Sequence, residues 1–228
     1  MNKVIPIDGD KIRLPGMRDR VTIIGPTGSG KTHAAMWHLS NASFTSRPWV
    51  VIDPKREELV SQIEGAEYIG IGEIPKHPGI YVVNPVPSDQ PMIDKMLLDI
   101  WDRENIGVWI DEGLLFGTGD GIDACFTQGR SKRIPMIMLM QRPTWVSRFA
   151  ISEATYIQYF GLIDERDKRV VRGFAKIPTE QTLPRFHSFY YDVPRKRNYH
   201  FSAFPSADKI LDRINSRLDT MKPQRKII

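Results

Sequence analysis

The sequence predicts an α/β fold: a mostly parallel β-sheet flanked by helices, with an antiparallel hairpin and a helix at the C-terminal end. Three observations predict it. Short apolar runs rich in β-branched residues alternate with segments of helical spacing, as strand–helix–strand units do. The first of these runs leads into a glycine-rich octapeptide and then a helix. After Leu183 the alternation gives way to two neighbouring strands around a polar turn.

Each element has its own signal. Residues 21–24, VTII, form a short apolar strand. It runs into residues 25–32 and then a helix carrying Ala34, Ala35, Trp37, His38 and Leu39. Residues 49–52 are a second strand, closed by Asp53-Pro54, and 80–83 a third, closed by Asn84-Pro85. Met92, Ile93, Met96, Leu97, Ile100 and Trp101 then recur at helical spacing. Residues 107–110 form a strand ending at Asp111-Glu112. A loop with Gly117, Gly119 and Gly121 leads into a helix through Cys125 and Phe126. Residues 136–140 are the next strand, ending at Gln141-Arg142-Pro143, and 155–160 another, followed by a charged helix over about 164–173. In the C-terminal section, residues 186–193 and 199–204 read as strands around Pro194-Arg195-Lys196-Arg197-Asn198. Ser206 sits where a helix cap is expected, ahead of Ile210, Leu211, Ile214, Leu218 and Met221 on one helical face. Residues 222–228 are expected to be loose. With no repeat, linker or low-complexity segment, residues 1–228 read as one domain, with a core over about 20–175 and a C-terminal hairpin and basic helix over about 184–228.

Composition bounds the function. The chain has 228 residues, 41% hydrophobic and 26% charged, enough for a buried core and unlike a disordered chain. The single cysteine, Cys125, excludes an internal disulfide and a structural zinc site built on several cysteines. The apolar run 134–140 is too short to span a bilayer, and the N-terminal segment lacks a secretory apolar core. A protein of a reducing compartment is expected. The net charge of +5 is uneven: from Arg195 onward nine Lys/Arg face three Asp, so this section carries +6 and the rest −1. A polyanionic partner would suit such an end, and so would plain solubility.

Gly25-Pro26-Thr27-Gly28-Ser29-Gly30-Lys31-Thr32 satisfies GxxxxGK[ST] between an apolar strand and a helix. The chemistry needs these residue types. Glycines let backbone N–H groups wrap a β-phosphate, and the helix N-terminus adds a positive dipole end. Lys31 reaches the β- and γ-phosphates, and the Thr32 hydroxyl ligates Mg²⁺. The strand Val108-Trp109-Ile110 ends in Asp111, which would hold Mg²⁺ through water. Glu112, next in line, would polarise an attacking water as general base. A phosphate-loop kinase does not need that glutamate, and no NKxD motif marks a GTPase, so hydrolysis is the favoured reaction. Gln141, at the end of the next strand, can bond the γ-phosphate or the water; a strand-end glutamine bonded to loop backbone is the plainer alternative.

Three phrases together, GPTGSGKT (25–32), VVIDPKREEL (50–59) and WIDE…MLMQRP (109–143), resemble the FtsK–HerA superfamily of ring-forming, DNA-pumping ATPases. The resemblance covers roughly residues 20–175. The size and economy of the chain resemble the genome-packaging ATPases of tailless, membrane-containing double-stranded DNA phages, the tectivirus type. The resemblance implies a RecA/ASCE-like P-loop NTPase fold, ATP and Mg²⁺ as cofactors, and the roles above for Lys31, Thr32, Asp111, Glu112 and Gln141. It also implies an arginine finger acting on a neighbour's nucleotide, with Arg130 the first candidate and Arg133 the second. Expected partners are double-stranded DNA read without sequence choice, further copies in a ring, and capsid vertex proteins. The expected location is the host cytoplasm during assembly and then the packaging vertex of the virion. DNA contact needs cations facing phosphates; the candidates are Lys132, Arg133 and the tip Arg195-Lys196-Arg197, with the loop 113–121 steering. Two rivals are an ATPase driving phage assembly, extrusion or secretion without DNA, and a small-molecule kinase, whose arginine-rich lid is not evident.

Overall fold

The computed structural model describes residues 5–6, 12–111, 113–116 and 118–221. In chain order the elements are β1 (Ile5–Pro6), β2 (Arg20–Ile24), α1 (Lys31–Ser40), β3 (Pro48–Ile52), α2 (Glu58–Ser61), β4 (Glu67–Tyr68), β5 (Gly79–Val83), α3 (Gln90–Arg103), β6 (Gly107–Ile110), α4 (Gly113–Phe116), α5 (Asp120–Gln128), β7 (Met136–Met140), α6 (Phe149–Ser152), β8 (Tyr156–Tyr159), α7 (Glu165–Phe174), β9 (Ser188–Asp192), β10 (Arg197–Phe201) and α8 (Ala207–Asp219). Among the described residues ten strands form one sheet, ordered β1-β10-β9-β8-β2-β7-β6-β3-β5-β4. Every pairing from β8 across to β4 is parallel, while β9, β10 and β1 are added antiparallel. The mostly parallel sheet with a C-terminal hairpin is the one the sequence predicts.

Both faces of the sheet are covered, so the central strands are buried at every position instead of alternating with polar residues. Successive side chains still point to opposite faces. Val21, Ile23, Val51, Ile137 and Leu139 join the core under α1 and α8. Ile24, Val50, Ile52, Met136, Met138 and Met140 join the core under α3 and α5. The same alternation runs through the hairpin, where Tyr190 goes to the first core and Phe189 and Tyr191 to the second.

Several local readings need correction. The stretch 113–121 is not one loop: residues 113–116 form the single turn α4, and Gly121 lies inside α5, its N–H donating to Asp94 Oδ1 at 2.8 Å. Gly117 lies outside the described residues. The hairpin strands are shorter than expected, and Arg197 and Asn198 belong to β10, not to the turn. The turn is residues 193–196, closed because Asp192 pairs with Arg197 and its carboxylate accepts the Arg195 N–H at 3.1 Å. Ser206 does hold the cap position of α8, but its side chain makes no capping bond. Burial of Ile210, Leu211, Ile214 and Leu218 anchors that helix instead. The charged helix matches α7, whose cap Asp164 accepts the Arg166 N–H at 2.8 Å. Residues 222–228 lie outside the described residues.

Candidate active site

The octapeptide leaves the C-terminal end of β2, between β7 and β8. The Gly25 N–H donates to the Met140 carbonyl at 3.2 Å, which roots the loop on β7. Gly28 and Gly30 have φ of 74° and 100°, left-handed values that glycine adopts freely. This backbone turns N–H groups inward, and α1 starts directly after it, adding its positive end. Lys31 is buried, and its Nζ donates to the Pro26 carbonyl at 2.7 Å. The buried Ser29 hydroxyl has no hydrogen-bond partner among the described residues, a spare donor in a loop suited to anions. Thr27 Oγ1 donates to Gln141 Oε1 at 2.9 Å, so the end of β7 is bonded to the phosphate loop itself.

The acidic side of the site lies one and two strands further. Asp111 follows β6 and its N–H donates to the Ile52 carbonyl at 3.0 Å; Asp53 follows β3 and its N–H donates to the Val83 carbonyl at 2.9 Å. Both are buried, and they stand at the ends of adjacent strands on the same edge as the loop. Asp53 Oδ2 accepts the Glu57 N–H at 2.9 Å, while Oδ1 has no hydrogen bond among the described residues. Burial pushes the Asp53 carboxyl above the usual carboxylate range; the Asp111 charge adds to the rise, against the pull of the Glu57 N–H. A cation at this edge would relieve both carboxylates. The oxygens of Thr32 and Asp111 suit Mg²⁺, which uses one or two carboxylates together with substrate phosphates. No group of three or more His, Cys, Asp or Glu gathers as a metal cage among the described residues. Glu112 lies outside them.

The cations singled out from the sequence converge elsewhere. Arg130, Lys132 and Arg133 precede β7, and the tip 193–196 precedes β10. The Met136 N–H bonds the Asp19 carbonyl, Thr155 N–H the Arg20 carbonyl, and Val193 N–H the Thr155 carbonyl. All of these mark the edge where the parallel strands begin, opposite the phosphate loop. A cleft there is lined by Arg13, Arg20, Arg130, Glu153 and Asp192. Arg130 and Arg133 are exposed. Lys132 is not a free cation: its Nζ lies 2.8 Å from Glu104 Oε1 and 4.0 Å from the centroid of the Trp101 ring. Arg195 Nε lies 3.9 Å from Asp192 Oδ2.

Two residues at the site had no role in the sequence reading. Asp53 closes a strand and lies in the second phrase of the resemblance, but was given no role; an apolar run ending in Asp, like the run ending in Asp111, was the available signal. Arg142 follows Gln141 and is tied to α7. Its Nε lies 2.6 Å from the buried Asp167 carboxylate and its NH2 3.1 Å from Asp164, with the guanidinium 4.8 Å from the Trp145 ring centroid. That grip holds the end of β7, and hence Gln141, in place.

Fold and loop together define a P-loop NTPase of the RecA/ASCE-like class. Over 216 residues the chain is 41% identical to the DNA packaging ATPase P9 of Enterobacteria phage PRD1, covering 90% of this chain and 95% of P9. The chain belongs to that family of phage packaging ATPases and is an ATPase, in keeping with the tectivirus-type resemblance of its motifs. Among solved structures it is similar to the genome packaging NTPase B204 of Sulfolobus turreted icosahedral virus 2 in complex with ATPγS. The TM-score is 0.65 at 16% identity, covering 83% of this chain and 99% of B204. It is also similar in fold to ATPases 2 and 3 of EssC from Geobacillus thermodenitrificans, with a TM-score of 0.60 at 10% identity over 90% of this chain and 44% of EssC. No protein-family model matches the chain. No helix among the described residues is long and apolar enough to cross a membrane.

Proposed function

We propose that this chain hydrolyses ATP to drive double-stranded DNA into a preformed capsid, working as a ring of single motor domains at the packaging vertex of the assembling virion. The observation that carries the reading is the 41% identity to the DNA packaging ATPase P9; the Thr27–Gln141 hydrogen bond, which links the phosphate loop to the strand end held by Arg142 and α7, supports a sensor role for Gln141. Loss of the γ-phosphate at the loop changes what Gln141 bonds, and Arg142 passes that change to α7. In the cycle, Lys31, the loop N–H groups and the helix N-terminus hold the phosphates. Thr32 and Asp111 would hold Mg²⁺, which would supply charge neutralisation at the phosphates. Glu112 takes the proton of the attacking water. Arg130 of one subunit serves the nucleotide of the next, and the tip Arg195-Lys196-Arg197 meets DNA phosphates.

The similarity in P9, whose name is that of a DNA packaging ATPase, supports DNA over a secreted or extruded cargo as the substrate. The test is Glu112→Gln assayed with and without DNA. The wild type should show DNA-stimulated turnover. The variant should still bind ATP and hydrolyse it about 10²- to 10⁴-fold more slowly. Turnover indifferent to DNA, or near-normal turnover in the variant, would sink the respective half of the proposal.

A further inference from the structure

Three arginines gather at the edge where the parallel strands begin, and no carboxylate among the described residues balances them. Arg47 lies just ahead of β3 and is 2% exposed. Its Nη1 donates to the Arg133 carbonyl at 2.8 Å and to the Met17 carbonyl at 3.1 Å, and its Nε has no hydrogen bond among the described residues. Both acceptors belong to loops that present an exposed arginine, Arg133 in one and Arg18 in the other. Burial pushes the Arg47 pKa down, and the charges of Arg133 and Arg18 push the same way, with no acid opposing them. None of the three has an ion-pair partner among the described residues. Buried charges are ordinarily paired. Arg20 shows the ordinary case: it is buried with an exposed arginine, Arg130, nearby, but the charges of Glu153 and Asp19 offset its own. The loop of Arg133 is also fixed. Arg133 has φ of 57°, a left-handed value that costs energy and persists where the surroundings over-determine it. Besides the grip of Arg47, the Asn105 N–H donates to the Lys132 carbonyl at 2.9 Å and the Ile134 N–H to the Gly129 carbonyl at 2.8 Å.

We propose that Arg18 and Arg133, aligned by Arg47 behind them, bind neighbouring backbone phosphates of DNA, one phosphate each. The inference rests on the DNA-packaging reading and adds Arg18 and Arg47 to it. The ligand supplies the missing counter-charge, and the guanidinium fork matches phosphate oxygens. A polymer with a charge at every step suits this rim, where Arg13, Arg130, Arg195 and Lys196 are exposed further along; a single nucleotide would meet only one part of it. The cleft of Arg130 lies toward β8 and β9, whereas Arg47 leads into β3, so the two clusters occupy different parts of the rim. Contacts of this kind position DNA without reading its sequence.

The test is binding of a mixed-sequence DNA duplex by the full chain, measured over a range of salt concentrations. Arg18→Gln combined with Arg133→Gln should weaken binding and flatten the slope of log K against log salt. The expected change is about 0.9 for each of two phosphate contacts, about 1.8 in all. Lys209→Gln combined with Arg213→Gln removes the same charge from the exposed face of α8 and should leave the slope as it is. Arg47→Met should flatten the slope by about 0.9 through Arg133, and should add nothing where Arg133 is already Gln. The exposed pair carries the test even if Arg47→Met does not fold. A wild-type slope in the Arg18/Arg133 variant overturns the proposal. So does equal flattening by the α8 pair, which would mean that overall charge alone is read. Slower turnover without DNA beside an unchanged slope would assign the cluster to a neighbour's nucleotide, and also overturns it. An Arg47→Met effect that adds to that of Arg133→Gln would strike Arg47 from the site. If the wild type binds no DNA, the packaging reading has failed and this site falls with it.

Discussion

His38 offers a quantitative test of how the phosphate helix is fastened to the sheet. It lies on α1, wholly buried, with Nε2 2.7 Å from Gln158 Oε1 on β8; Gln158 Nε2 in turn donates to Ser188 Oγ on β9 at 2.9 Å. Since Nε2 faces an acceptor it carries the hydrogen, and Nδ1 has no partner among the described residues. A second proton would sit on Nδ1 of a ring packed near those of Trp37, Tyr190 and Phe204, with centroids at 5.1, 6.1 and 6.5 Å. Burial accordingly pushes His38 from 6.5 down to about 4, only partly opposed by the Gln158 bond. Above pH 6.5 the ring is neutral in the folded and unfolded chain, and its contribution is intact. Between 6.5 and 4 the unfolded chain takes the proton and the folded one does not, so stability falls. Below 4 the loss is complete. At 1.36 kcal/mol for each unit of difference, the loss is about 3 kcal/mol. The measurement is urea unfolding from pH 7 to pH 4 for the wild type and for His38→Gln, which can still bond Gln158 but cannot titrate. Carboxylates contribute alike to both proteins, so the difference between the two pH profiles isolates His38. Parallel profiles would refute the buried neutral histidine.

Two further predictions concern the opposite edge of the sheet. Arg130→Ala should bind ATP normally yet turn over slowly once assembled, by about 10³- to 10⁵-fold for a finger in trans. Mixing it with Lys31→Ala should restore part of the activity, because some interfaces then join an intact Lys31 to an intact Arg130; assembly without any recovery would move the finger to Arg133 or into the same subunit. Replacing Arg195, Lys196 and Arg197 by neutral residues should weaken DNA binding and flatten its dependence on salt, since fewer counterions are released. An unchanged salt slope would return the tip to a solvated hairpin end.

The legible parts of the fold were those with long apolar runs or a complete motif. The strands ending at Ile24, Ile52, Val83, Ile110 and Met140 were readable because a sheet covered on both faces needs continuous apolar residues, and the octapeptide fixed the edge where the site lies. The two-residue strands β1 and β4 were not readable, because two residues have no periodicity and their pairing depends on partners far along the chain. Lys132 read as an available cation because its partner, Glu104, is 28 residues away. The His38–Gln158–Ser188 chain was hidden for the same reason, since each member alone looks like an ordinary polar residue. Within the site, the bond from Thr27 to Gln141 was not legible, because it joins residues far apart in the chain, and the nearness of Asp53 to Asp111 needed the strand order β6 beside β3.

The strands β2 and β7 have a direction, and so does any assembly built from them. Each is five residues long, about 17 Å, with the phosphate loop at its finish and the Arg130 rim at its start. A two-fold axis could set the rim of each copy before the loop of the other, but it ends at two copies. Head-to-tail repetition sets the rim of one copy before the loop of the next at every step. Such an interface has two different faces, and the tilt between successive sheets alone decides whether the repeat closes on itself or runs on as a filament.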